Sequence, residues 1–246
     1  MKKLVVLFLI SFLFSCNKYK VNCNFSGNKQ TIVAGLDNFD KIIVNPLVKL
    51  KLIDTNYNEI HIRADENVMK NIKYEVKNHT LTISNNTNCL IENSQAIAEV
   101  TLYVNEFREI VANTDLDITS GNMLKFNRLN LICENSTLGS NNIADFDLEL
   151  NVNRLKIIAN GRSIFKLKGS AQNMFVGFYG VSPTLLAKNL KADTIKVFQR
   201  GSGDMHIYPE IQVSGDLFGY GDIYIYHHPQ IFNITEHGRG HIYFVN

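Results

Sequence analysis

The chain has 246 residues, 45% of them hydrophobic and 20% charged, with 25 Lys and Arg against 23 Asp and Glu. That is apolar material enough for a sizeable core, and it suits one all-β domain as well as two smaller ones. Without Lys2 and Lys3, which fall in a leader, the charges balance at 23 against 23, and no run of Lys and Arg stands out, which excludes a nucleic-acid-binding role.

Lys2 and Lys3 precede an apolar run from Leu4 to Phe14, the plan of an export signal. The run is too short for a membrane-crossing helix, which needs roughly 20 apolar residues. It stops at Leu13-Phe14-Ser15-Cys16, which resembles the lipobox of bacterial lipoproteins. There a small residue precedes a cysteine that is lipidated on sulfur and becomes the first residue after cleavage. Phe14 is bulkier than the usual residue two before the cysteine, so an ordinary cleaved signal with a chance cysteine is the alternative. A lipid on Cys16 would make the membrane the first partner, reached by an anchor and not by a span. Residues 1–15 are then the signal peptide and 16–30 a polar tether.

Lipidation of Cys16 leaves Cys23, Cys89 and Cys133, and a Cys23 to Cys89 disulfide stays open in an export compartment. Cys133 lies in the run Leu129-Asn130-Leu131-Ile132-Cys133 and reads as a small buried core residue. No cysteine pair has metal-ligand spacing, so neither metal nor cofactor is expected.

From residue 31 onward the pattern is that of strands. Ile42-Ile43-Val44, Val48-Lys49-Leu50-Lys51-Leu52, Glu59-Ile60-His61-Ile62-Arg63 and Leu81-Thr82-Ile83 mostly alternate apolar and polar residues, as strands with one buried face do. Asp65 to Lys73 has room for one helical turn, and no apolar stripe of helical period follows. The Asn-rich stretch from Asn85 to Ser94 reads as a loop.

Beyond Ile110 the chain repeats itself. A small or turn-forming residue recurs at Thr114, Asn135, Gly161, Gly180, Gly201, Gly219 and Gly238, with gaps of 21, 26, 19, 21, 18 and 19 residues. Repeats of roughly 20 to 50 residues signal solenoids or propellers, and a propeller blade takes about 40. Six and four positions before the last four glycines stand Met174 and Val176, Ile195 and Val197, Val213 and Gly215, Phe232 and Ile234. Four and six positions after them stand Thr184 and Leu186, Met205 and Ile207, Ile223 and Ile225, Ile242 and Phe244. Both sets step by two, so each repeat places two short strands with these positions inward. A β-sandwich of hairpins, with turn signals every 8 to 12 residues or so, is the competing reading.

Arg200-Gly201-Ser202-Gly203-Asp204, Gly219-Tyr220-Gly221-Asp222 and Gly238-Arg239-Gly240-His241, each followed by alternating apolar residues, resemble the corners of the auto-transporter adhesin head GIN domain family. The segment Phe39-Asp40-Lys41-Ile42-Ile43-Val44 and the strands after it resemble its opening. The family is common in lipoproteins and secreted proteins of Bacteroidetes-type bacteria. The resemblance covers residues 31–246 and implies an all-β fold, a right-handed parallel β-helix (solenoid), with a β-rich N-terminal cap over 31–100 and coils over 101–246. It implies an adhesin-like protein and supplies no catalytic residues; with the lipid anchor, the expected location is the cell envelope, on the outer membrane, with the periplasmic and the surface face both open.

Stacked coils align equivalent positions in columns about 4.8 Å apart. Asp204, Asp222 and His241 share one, which is either a solvated corner ladder or a cation site. His206, Tyr224 and Tyr243 share another, with Tyr208 and Tyr226 beside them and Lys166 and Lys168 in earlier coils. These five form the candidate binding surface, since exposed aromatic faces suit sugar rings or an envelope protein. Asp193-Thr194-Ile195 resembles a short O-glycosylation site of such bacteria. Catalytic templates are missing: no GxSxG, HExxH, P-loop or CxxC occurs. The expected function is a non-catalytic, lipid-anchored binding or structural protein. The alternative is a carbohydrate-active enzyme, a polysaccharide lyase or glycosidase, using Asp204 or Asp222.

Overall fold

The computed structural model describes residues 27–87, 96–134 and 143–245; Cys16, Cys23, Cys89, Asn135 and most of the Asn-rich stretch lie outside them. The first half forms β1 (Lys29–Gly35), β2 (Lys41–Val44), β3 (Val48–Asp54), β4 (Glu59–Asp65), a helical turn α1 (Glu66–Met69), β5 (Ile72–Lys77), β6 (Thr80–Asn85), β7 (Ala98–Val104), β8 (Glu109–Ala112) and β9 (Ile118–Ser120). The second half forms β10 (Leu124–Cys133), β11 (Phe146–Ala159), β12 (Ile164–Phe178), β13 (Thr184–Gln199), β14 (Met205–Leu217), β15 (Ile223–Ile225), β16 (Ile231–Glu236) and β17 (Ile242–Phe244).

Alternation drives these elements. In β3 the side chains of Val48, Leu50 and Leu52 are fully buried while Lys49 and Lys51 reach solvent, the half-buried pattern that favours a strand over a helix. The expected helical turn is α1, where the Asp65 carboxylate accepts from the Asn67 N–H at 2.9 Å and caps the first turn.

All described strands belong to one curled sheet, which is mixed. From β10 onward every neighbour is parallel and about one repeat away: Phe146 faces Phe165, then Leu185, Met205, Ile223 and Ile242 in turn. This pairing is the physical meaning of the sequence period, and it rules out hairpins for that half. Among the described residues antiparallel pairs occur only as β1 with β4, β4 with β7, and β5 with β6, so the sheet is not parallel throughout, as the solenoid expectation would have it. The order of layers also departs from chain order. β2 and β3 lie between β6–β7 on one side and β8–β9 on the other. The antiparallel strands then cover β6 and β7, whose free edge would otherwise invite pairing with another chain.

One continuous core runs through the curl. Phe146, Phe165 and Phe178 are all fully buried, with Phe146 and Phe165 stacked at 4.8 Å and Phe165 and Phe178 at 6.1 Å. Cys133 is buried as expected; its Sγ lies 2.8 Å from Ser163 Oγ, and burial, only partly offset by that bond, pushes its thiol pKa up.

The expected inward register holds at Met174, Val176, Ile195, Val197, Met205, Ile207, Val213, Ile223, Ile225 and Ile234, and fails at Thr184 and Leu186. Leu186 points outward because the turn after Gly180 is one residue longer than its neighbours, so Leu185 takes the inward place opposite Met205 and Ala187 is the next buried residue. Phe232 and Phe244 do continue the inward columns of Val213 and Ile225. They are 43% and 42% exposed because no described layer stacks beyond them.

Candidate functional site

The glycine corners place the site. A Cβ on Gly221 would lie 2.1 Å from the carbonyl oxygen of Gly203, and one on Gly203 2.1 Å from that of Pro183. Successive turns therefore nest backbone on backbone. The next residue of each motif locks the stack: Asp204 Oδ1 accepts the Asp222 N–H at 2.8 Å, and Asp222 Oδ1 accepts the His241 N–H at 2.8 Å. Asp145 does the same for Ile164 at 3.1 Å. The column of Asp204, Asp222 and His241 is thus a ladder of backbone caps, and no cluster of potential metal ligands occurs among the described residues.

Just beyond these corners, in-register pairing aligns His206 with Tyr224 and Tyr224 with Tyr243. Their rings stack at centroid distances of 4.7 and 5.3 Å, with interplanar angles of 8° and 21°. Tyr226 joins them by a 2.9 Å hydrogen bond between its hydroxyl and His206 Nδ1. Tyr208 is not part of this group. It stacks instead on His227 at 5.1 Å and lies under the Lys191 ammonium at 5.6 Å. Tyr243 is 43% exposed and the other four candidates are half-buried.

His206 and Tyr226 also line a cleft of about 390 Å³ together with Asp147, Lys166, Lys168 and Lys188, the Lys188 ammonium lying 5.9 Å from the Tyr226 ring centroid. Lys166 and Lys168, the column residues of the earlier coils, thus reach the same site; Lys188 joins them because the longer turn after Gly180 puts Leu186 and Lys188 outward, against the inward register expected there. Burial, opposed by the Asp204 charge and aided by that of Lys188, holds the His206 imidazole below its usual range. Burial and the charges of Asp222 and Asp204 raise the Tyr224 phenol. The site therefore presents a neutral imidazole, phenols and ammonium groups, a set that binds by stacking and hydrogen bonding.

A second ring column, not among the sequence candidates, runs through Tyr179, Phe198, Phe218 and His237 at centroid distances of 5.1, 5.7 and 4.4 Å, the first two contacts tilted and the last stacked. Its signal was available, since these residues follow one another at the repeat spacing.

Several solved structures share the fold. An adhesin from Bacteroides fragilis, described as putative, superposes with a TM-score of 0.79 at 21% identity, covering 89% of this chain and 98% of its own. One from Parabacteroides merdae gives 0.62 at 17% identity, covering 90% and 98%. A protein from Parabacteroides distasonis described as a putative lipid binding protein gives 0.60 at 18% identity, again covering 90% and 98%. No curated protein matches the chain. The family profile described as "Putative auto-transporter adhesin, head GIN domain" matches residues 38–229. With most of the chain so matched, and with the glycine corners and parallel repeats that carry the likeness, the protein belongs to the auto-transporter adhesin head GIN domain family.

Proposed function

We propose that the protein is a non-catalytic, adhesin-like component of the cell envelope that binds glycan on its aromatic face, anchored to the outer membrane by a lipid on Cys16. The observation that carries this is the half-exposed stack of His206, Tyr224 and Tyr243 beside a lysine-walled cleft. Flat rings with polar tips suit the faces and hydroxyls of sugars. The coils are read as a right-handed parallel β-helix because each parallel neighbour is reached by a crossover, and such crossovers are right-handed in about 98% of cases. Cys16 follows the leader pattern read from the sequence, and none of the described helices is long and apolar enough to cross a membrane.

Tyr224→Ala tests the reading, with glycan array binding of the purified protein as the measurement. Saturable binding lost in the variant, with an unchanged melting temperature, supports it; capture of a protein ligand and no glycan would reassign the face. The cleaving alternative draws support from one feature, the meeting of His206 with three lysines and Asp147 in one cleft. It requires release of shortened products from a glycan, abolished in Asp204→Ala or Asp222→Ala. Protease shaving of intact cells, with Cys16→Ala as the unanchored control, tests the location.

A further inference from the structure

A groove of about 640 Å³ crosses β10 to β14. In-register pairing lines it with two outward columns. Arg128, Arg154, Asn173, Thr194 and Gln212 form one. Two residues further along each strand, Asn130, Lys156, Phe175, Lys196 and Ser214 form the other.

This arrangement opposes folding. Arg128 sits directly beside Arg154 in the ladder, and like charges facing each other across neighbouring strands destabilise a sheet. Elsewhere the molecule pairs such cations, as with Lys41 and Glu109, Lys49 and Asp117, and Lys168 and Glu149. Among the described residues, Arg128, Arg154, Lys156 and Lys196 form no ion pair, and no carboxylate lines the groove. Glu109, in the layer below, is engaged by Lys41 at 2.9 Å and by the Asn130 amide at 3.2 Å and feels the Lys156 charge, but it does not line the groove.

We propose that this groove binds a carboxylate-bearing polysaccharide, a chain of uronic acid residues laid along the two columns. Guanidinium forks match planar carboxylates with two parallel hydrogen bonds. The half-buried Phe175 ring, between Lys156 and Lys196 in its column, offers a face to a sugar ring. The Thr194 hydroxyl donates to Asn173 Oδ1 at 2.8 Å, which leaves the Asn173 N–H groups to donate to the ligand. Gln212 and Ser214 extend the polar lining for sugar hydroxyls. A single-stranded nucleic acid would need a row of rings for successive bases, and the groove holds one. The site is separate from the aromatic face, so the two readings stand or fall independently.

The test is titration of the protein with polygalacturonate, neutral dextran and an oligothymidylate of matched charge, comparing wild type, Arg154→Gln/Lys196→Gln, Arg128→Gln and Tyr224→Ala. The expected result is polygalacturonate binding that the double variant weakens by about tenfold or more, that Arg128→Gln weakens less, and whose loss in the double variant exceeds any loss in Tyr224→Ala. Because Arg128→Gln removes a repulsive neighbour, its melting temperature should equal or exceed that of wild type, which separates lost binding from lost folding. Equal affinity for dextran, equal affinity for the oligothymidylate, or binding unchanged in both groove variants would each overturn the proposal. Loss only in Tyr224→Ala would move the acidic chain to the aromatic face, overturning the groove and sparing the reading made there.

Discussion

Glycines that look alike in the repeat do different physical work. Gly221 has a carbonyl oxygen 2.1 Å from where its Cβ would be, whereas the nearest atom to a Cβ on Gly180 is Asn160 O at 3.9 Å. Gly221→Ala must push two turns apart and should cost about 2 kcal/mol or more, in the range of overpacked cores. Gly180→Ala should be neutral or slightly stabilising, since it narrows the unfolded ensemble without a clash. Chemical denaturation of the two variants measures the contrast, and equal losses would mean that the turns do not nest. His206 gives a pH-dependent companion. Its folded pKa lies below the ordinary value of about 6.5, so the unfolded chain takes up the proton more readily. Stability from this group is complete above that pH and is lost as the pH falls through the folded value. The melting temperature should therefore fall more steeply from pH 7 to pH 5 in wild type than in His206→Gln, and parallel curves would show that the imidazole is not held neutral.

At the level of elements, the period of about 20 residues was legible because parallel partners must sit one repeat apart, and inward positions follow from alternation. Leu186 broke that register through a single extra turn residue, a change that apolar counting does not detect. The order of layers at the start was not legible at all. β2 pairs with β6 and β8, whose partners for Ile42 are Leu81 and Ile110, and nothing local in three short apolar runs says which will be the middle one. The aromatic column was visible from its spacing, but the basic groove was not: Arg128, Arg154, Lys156 and Lys196 are scattered along the chain and become neighbours only through the ladder. The same ladder makes Phe165 a central load. It is fully buried between Phe146 and Phe178, so Phe165→Ala should cost about 3–5 kcal/mol. Urea unfolding checks this, and a loss below about 1 kcal/mol would mean that the neighbouring rings collapse into the space.

For the molecule as a whole, one-dimensional stacking sets how stability is distributed. Each layer of a repeat architecture is held by its neighbours, so total stability approximates a sum of layer and interface contributions. β12 and β13 have a full parallel partner on both sides. At the other extreme, among the described residues β17 pairs only with β15, and β16 only with β14. Ile231, Phe232, Tyr243 and Phe244 there are each more than 40% exposed. The opposite end differs, since β4 and β5 cover it with antiparallel pairing. Opening should thus begin at the β16–β17 end, where least apolar area is lost on separation. Native-state hydrogen exchange should show amides of β16 and β17 exchanging through local opening, those of β12 and β13 only through global unfolding, and those of β6 and β7 protected nearly as well as the middle. If β16 and β17 instead matched β12 in protection, the layers would unfold as one cooperative unit and the nearest-neighbour account of this sheet would fail.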